Sequence, residues 1–230
     1  MVAPGFISAK QRSVKTLRQV STVRGAEFNI YKIFKRIIDF ICASILIIPA
    51  SLIILLCCIA IKIETKGPCF FVQIRPGYKG KLFKIYKLRT MVVQTQKNAM
   101  ALSDIERTTK VGRIIRTYSF DELPQLINIL KSEMSFIGPR PLLLKYLSLY
   151  TPEQMRRHDV LPGISGWAQV NGRNELSWDE KFSMDIWYVD HMCFSLDLKI
   201  LCLTMKNLIT HKCVNANSNV TMVEFTGSKM

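Results

Sequence analysis

Two adjacent carboxylates, Asp121 and Glu122, lie in the stretch Ser119-Phe120-Asp121-Glu122-Leu123-Pro124-Gln125-Leu126. Ser119 reads as a helix N-cap, and Glu122 three residues on completes a capping-box pattern. The acids therefore open a helix expected over about residues 119–130, with apolar residues at 123, 126, 127 and 130 on one stripe. At such a start the backbone N–H groups and the helix dipole favour negative charge. A carboxylate held ionised there can serve as nucleophile or metal ligand. First-turn acids are also ordinary capping residues, so the pair alone decides nothing. Six basic residues change the balance: Lys87, Arg89, Arg113, Arg116, Arg140 and Arg173 fall in short segments punctuated by Gly or Pro. Arginine forks match phosphate oxygens, and turns let a backbone approach a ligand closely.

Other chemistry is thinly represented. The cysteines are Cys42, Cys57, Cys58, Cys69, Cys193, Cys202 and Cys213, with no CxxC and no Cys/His spacing suited to zinc. An odd, scattered set reads as reduced and structural, which places the bulk of the chain on the cytosolic side. His158, His191 and His211 are equally scattered. The whole chain is both apolar (49%) and basic, with a formal charge of +15. That combination has few natural partners: anionic membrane surfaces, phosphorylated ligands or nucleic acid.

The elements that must position these groups begin with a basic segment, residues 1–28, which carries Lys10, Arg12, Lys15, Arg18 and Arg24 before its first acid, Glu27. It has no apolar run or small-residue cleavage pattern and reads as a mobile tail resting on anionic lipid rather than a signal peptide or transit peptide. Residues 40–61 then run twenty-two residues without a charge, long enough to cross a bilayer as one helix. Pro49 interrupts that run, removing a backbone hydrogen bond and favouring a kink. Lys32, Lys35 and Arg36 precede it and Lys62 and Lys66 follow, so the cytoplasmic preference of positive charge pulls both ends the same way. A helix that enters the membrane, breaks and returns to the face it left satisfies both flanks.

Beyond the anchor, residues 70–72 and 82–86 read as strands around a turn at 75–80. Residues 92–107 read as polar helix or loop. Further expectations are a helix over 142–158, restarted at Thr151-Pro152-Glu153, a strand at 167–170, and two helices within 178–209 broken near 193–195. The segments 187–188 and 196–209 fit either core helices or helices lying on a membrane surface. The domain reading is a tail at 1–28, a re-entrant anchor at 29–66, a catalytic domain at 67–210 and a second tail at 211–230. The fold class is α/β, mainly α with short strands, with the 67–210 domain on the cytosolic face of the membrane.

Five motifs occur in series: Lys87-Leu88-Arg89-Thr90-Met91, Gly112-Arg113-Ile114-Ile115-Arg116, Asp121-Glu122-Leu123-Pro124-Gln125-Leu126, Met134-Ser135-Phe136-Ile137-Gly138-Pro139-Arg140-Pro141, and Pro162-Gly163-Ile164-Ser165-Gly166-Trp167-Ala168-Gln169-Val170-Asn171-Gly172-Arg173. In this order and at these intervals the chain resembles the bacterial sugar transferases, the monotopic phosphoglycosyl transferases that start glycan assembly on undecaprenyl phosphate. The likeness covers roughly residues 30–210. It implies that Asp121 attacks the β-phosphate of a UDP-sugar and releases UMP. Glu122 would help hold Mg²⁺, and undecaprenyl phosphate would take the phosphosugar in a second step. Lys87, Arg89, Arg113, Arg116, Arg140 and Arg173 would bind the phosphates. Members often break the membrane helix at Ser-Pro, whereas here Ser51 precedes Leu52 and the proline is Pro49.

Within the family the likeness is to small enzymes that transfer diacetylbacillosamine phosphate. It is carried by Tyr146-Leu147-Ser148-Leu149-Tyr150, Arg157-His158, and Ser177-Trp178 ahead of Glu180-Lys181-Phe182. A UDP-N-acetylated amino sugar is the donor this implies, and there is no room in front for the multi-span domain of larger members. Rival readings are a membrane-tethered nucleic-acid binder, for which no signature is present, a catalytically silent scaffold, which would need neither Asp121 nor Glu122, and an ordinary single-span anchor.

Overall fold

A run of Ile and Leu with no charge to solvate can only fold as helix or be buried as strand, and here it is helix. The computed structural model describes residues 5–93, 96–97, 100–101, 103–172, 175–210 and 224–227, with side chains described from Ile30 onward apart from 96–101. Helix α1 spans Gly5–Glu64, so the boundary expected at residue 28 is not marked by a helix end. Pro49 lies inside α1 and leaves the carbonyl of Ile45 without its helical donor, yet helix continues on both sides. Ser44 and Ser51 turn their hydroxyls back to the carbonyls of Phe40 and Ile48, at 2.8 and 2.6 Å.

One stripe of α1 packs on the rest of the chain. Ala43 and Ala50 are buried against Leu126 and Ile129, with Ile47 and Ile54 alongside, and Ile61 is buried against Leu88 and Ile115. The small alanines let the helix axis come close. The opposite side is also apolar: fourteen large hydrophobic residues from Ile30 to Ile63 are exposed. The most apolar window of Ile30–Glu64 has a mean hydropathy of 2.9 and is only 11% buried. A soluble core helix would hide most of that surface, each side chain being worth about 1.5–3 kcal/mol on burial. From Ile30 to Glu64, helix α1 is therefore long and apolar enough to cross a membrane and has no protein cover on most of its surface.

The hairpin follows the sequence expectation. Strands β1 (Phe70–Pro76) and β2 (Leu82–Leu88) pair antiparallel, with Pro76 opposite Leu82. The turn between them contains Lys79 and Gly80 at positive φ. Within 92–107 the structure has two short strands, β3 (Gln96–Lys97) and β4 (Met100–Ala101), then helix α2 (Asp104–Arg107) capped by a Ser103–Glu106 box. Helix α3 (Lys110–Thr117) leads to a 3-10 turn, Phe120–Gln125, that runs into α4 (Leu126–Leu130). The face of this unit that is buried is carried by Leu126, Asn128 and Ile129, while Ile127 is exposed. The 3-10 start moves the inward stripe off the expected 3.6-residue spacing.

Strand β5 (Ser135–Ile137) pairs parallel with β6 (Gly163–Ser165). A Cβ on Gly163 would stand 2.1 Å from the Gly138 nitrogen, so this crossing admits no side chain. Between the two strands the chain forms a 3-10 segment (Leu144–Leu149), a short helix α5 (Pro152–Met155) boxed by Thr151 and Gln154, and a second 3-10 turn (Arg156–Asp159). The helix expected over 142–158 is thus three pieces, because Thr151 caps a new start. The strand expected at 167–170 is helix α6 (Trp167–Val170). Strand β5 offers only three residues to pair with, and past Ser165 the chain turns at Gly166 so that Trp167 stacks on Trp187 at 5.1 Å.

Helices α7 (Trp178–His191) and α8 (Phe194–Ile209) break where expected. Helix α8 is two-faced: Leu196, Asp197 and Ile200 are buried, while Phe194, Leu198, Leu201, Met205 and Ile209 are exposed along the other side. Of the segment read as a C-terminal tail, residues 224–227 are described, and Phe225 is buried.

Candidate active site

Strand alternation places the first basic group. The face of β2 that buries Phe83 and Ile85 also carries Lys87. Its Nζ donates to Glu122 Oε1 at 2.7 Å and lies 3.5 Å from Asp121 Oδ2. The second group, Arg140, follows β5 and donates from the other side to the same Glu122 oxygen at 2.8 Å. The acids themselves sit on the 3-10 turn, entered through Ser119 at φ 56°. Ser119 makes no side-chain cap, and Glu122 does not reach back to it. The capping box read from sequence is replaced by two charge-assisted bonds, which are roughly twice as strong as a neutral cap.

The two carboxylates differ although they are neighbours. Burial pushes Glu122 upward, but the charges of Arg140 and Lys87 and the bonds they donate outweigh it and hold Glu122 well below the usual carboxylate range. Asp121 moves the other way: burial raises it, Lys87 pulls against this, and the charge of Glu122 raises it further. Two carboxyls whose environments push them apart are suited to different jobs. Glu122 is a fixed anion whose Oε1 is occupied. Among the described residues, Asp121 has one cation in looser contact, Lys87 at 3.5 Å.

Of the two acids, Glu122 lines an apolar cavity of about 440 Å³, and Asp121 is its chain neighbour. Glu122 and Arg140 line its polar end, and Leu46, Pro49, Ala50 and Ile53 of α1, with Met205 and Leu208 of α8, line the rest. A second cavity of about 400 Å³, at the start of α1, shares none of these residues.

Residues 30–211 match the family model described as bacterial sugar transferase. The chain belongs to the bacterial sugar transferase family. It is 50% identical over 196 residues to the uncharacterized sugar transferase EpsL of Bacillus subtilis, a match covering 85% of this chain and 97% of EpsL. It is 40% identical over 187 residues to the UDP-glucose:undecaprenyl-phosphate glucose-1-phosphate transferase of Klebsiella pneumoniae, covering 77% of this chain and 40% of that protein. It is also 37% identical over 189 residues to the UDP-N-acetylgalactosamine-undecaprenyl-phosphate N-acetylgalactosaminephosphotransferase of Aeromonas hydrophila, covering 79% and 45%. This sugar transferase therefore spans less than half the length of the latter two relatives.

Of the site residues read from sequence, the transferase brings Lys87, Asp121, Glu122 and Arg140 together. Arg116 stands near: its Nε donates to Thr90 Oγ1 at 2.8 Å, and its charge opposes the rise of Asp121. That arm depends on Gly112, where a Cβ would lie 2.0 Å from the Thr90 carbonyl oxygen, so α3 rests directly on the Thr90 backbone. Arg113 is exposed one turn earlier on α3. Arg89 points elsewhere: its guanidinium donates to the carbonyls of Thr65 and Lys66 at 3.1 and 3.0 Å, closing the end of α1. Arg173 lies outside the described residues.

Among the described residues no three His, Cys, Asp or Glu side chains gather as a metal cluster. The donor set fits a hard cation such as Mg²⁺ in its usual manner, one or two carboxylates completed by substrate phosphates and water. Asp121 and the free oxygen of Glu122 are the groups that would hold it.

Sequence reasoning missed the support behind Arg140. Arg157 donates to the Arg140 carbonyl at 2.8 Å and to Asp185 at 2.7 Å, and both members of this ion pair are buried. Twenty-eight residues separate them, so no local spacing announces the pair.

Proposed function

We propose that this transferase moves a sugar-1-phosphate from a UDP-sugar to undecaprenyl phosphate at the membrane surface. The observation that carries the reading is the unlike acid pair held by Lys87 and Arg140, with Glu122 and Arg140 on the wall of an apolar cavity that α1 also lines. A soluble nucleotide sugar and a bilayer-bound isoprenoid meet only at such a boundary. The names of the Klebsiella and Aeromonas relatives point to the same reaction.

In this reading an Asp121 oxygen attacks the β-phosphorus of the donor. The bond from that phosphorus to the bridging oxygen breaks, the electron pair leaves with UMP, and the phosphosugar is joined to Asp121. A phosphate oxygen of the lipid then attacks the same phosphorus and returns the Asp121 carboxylate, leaving a lipid diphosphate sugar. Mg²⁺ bound at the acids would offset charge on the diphosphate. Arg140 and Lys87 hold Glu122 as a fixed anion beside the reacting centre, and Arg116 lies on the Asp121 side for the phosphates. The apolar walls from α1 and α8 receive the first isoprene units.

Helix α1 enters and leaves on the cytosolic side, bent at Pro49, because basic residues flank both ends. Anionic lipid supports those flanks. The donor is a UDP-N-acetylated amino sugar such as UDP-diacetylbacillosamine. UMP release from a panel of UDP-sugars with undecaprenyl phosphate and Mg²⁺ tests the reading and names the donor. No release with any member of the panel would overturn it.

A further inference from the structure

We propose that Phe225, beyond the residues matched by the family model, is a positioning residue for this transferase and acts on Arg140 through Tyr150 and Arg157. The inference rests on the function proposed above. Phe225 is only 3% exposed. Its ring lies 5.0 Å from Phe182, 5.3 Å from Trp178, 5.7 Å from Tyr146 and 6.1 Å from Tyr150. Beside it Glu224 pairs with Lys145. A C-terminal segment without function has no reason to bury its one aromatic side chain among four others; here that ring completes the cluster.

The cluster is the seat of a charged group. The Arg157 guanidinium lies 5.8 Å from the Tyr150 ring centre and 5.7 Å from that of Phe182. It also donates to the Tyr150 hydroxyl at 3.4 Å. The same guanidinium holds the Arg140 carbonyl at 2.8 Å, and Arg140 holds Glu122 at 2.8 Å. From Tyr150 onward each link is a hydrogen bond between named atoms, and the Phe225 ring joins the path by packing near Tyr150, 6.1 Å between ring centres. Removing the ring leaves a gap against Tyr150 and Phe182, the two rings that together with Asp185 fix Arg157. The Arg140 loop then loses its fixed distance to Glu122.

The test compares wild type, Phe225→Ala, Phe225→Leu and Phe225→Tyr, full length and at equal folded concentration, by initial rates of UMP release. Phe225→Leu keeps most of the volume without the ring, so it reports on position if the alanine variant folds poorly. The expected result is a kcat about tenfold lower for the alanine and leucine variants, in line with the cost of sub-ångström misplacement. KM for the UDP-sugar stays the same, and Phe225→Tyr restores the rate. In an Arg140→Lys background the Phe225 substitutions then cost little more, since both act on one link. Unchanged kcat in the leucine variant, or losses that simply multiply with Arg140→Lys, would overturn the inference while leaving the function standing. A wild-type chain that releases no UMP would instead remove the function and this inference with it.

Discussion

Replacing Lys87 by Met removes the one cation among the described residues that pairs with both acids. Its Nζ lies 3.5 Å from Asp121 Oδ2 and 2.7 Å from Glu122 Oε1, and both partners are largely shielded from water. At 3.5 Å a unit charge pair is worth about 5 kcal/mol at an effective dielectric of 20 and about 1 kcal/mol in bulk water. A nearby cation typically lowers an aspartate by about 1–3 pH units, which falls within that range. The sign is fixed: losing a cation raises an acid. Glu122 stays ionised because Arg140 still holds it, whereas Asp121, already raised by burial and by Glu122, moves toward neutral pH. The Lys87→Met enzyme should lose about 100-fold in kcat at pH 7, of the order of one lost transition-state donor. It should recover part of that by pH 9, with the acid limb of its pH profile displaced upward by about 1–3 units. Lys87→Arg should keep the wild-type limb. The assay is initial UMP release from pH 5 to 9. A uniform loss with an unmoved acid limb would refute the reasoning, because Lys87 would then not set the protonation of Asp121.

Arg89→Met should destabilise the protein by about 1–3 kcal/mol, the cost of losing two hydrogen bonds donated by a charged guanidinium, with kcat of the folded enzyme unchanged. Thermal melting and UMP release on the same sample check this, and a large fall in kcat would return Arg89 to the site. Gly112→Ala places a Cβ 2.0 Å from the Thr90 oxygen. It should cost about 1–3 kcal/mol by overpacking and weaken the Arg116–Thr90 bond; an unchanged melting temperature would contradict it. Burial and the charge of Arg157 push His158 down to about 4 from 6.5, against the bond to the Gly77 carbonyl. Between those two values the unfolded chain binds a proton that the folded one does not. Stability should therefore fall on acidification across this window by up to about 1.4 kcal/mol per pH unit. His158→Gln should flatten that slope, measured as chemical denaturation at several pH values, and parallel slopes would refute the assignment.

Much of the site could be read from the chain because its signals are local. The twenty-two uncharged residues at 40–61 announce α1, and the β-type pattern at 82–86 announces β2, though not that the strand runs on to place Lys87. The Asp121-Glu122 pair needed no tertiary knowledge to be noticed. What failed was decided at a distance. The capping box at Ser119 lost to cations arriving from β2 and from the loop after β5, which no window around residue 120 contains. Arg89 looked equivalent to Lys87, but it stands two residues on, where β2 has ended, and the chain carries its guanidinium to the end of α1. The strand expected at 167–170 would have needed a longer partner than three-residue β5. Phe225 gave no periodic signal because a single anchoring ring has no period.

The central claim, a phosphosugar carried on Asp121, is tested most directly by isotope exchange without the lipid. Labelled UMP is incubated with the full-length enzyme, Mg²⁺ and the UDP-sugar identified by the panel, with no undecaprenyl phosphate present. A covalent intermediate predicts that label enters the UDP-sugar pool with wild type and not with Asp121→Asn. Transfer to lipid that proceeds normally while no exchange occurs in its absence would contradict the claim and require the lipid phosphate to attack the donor directly.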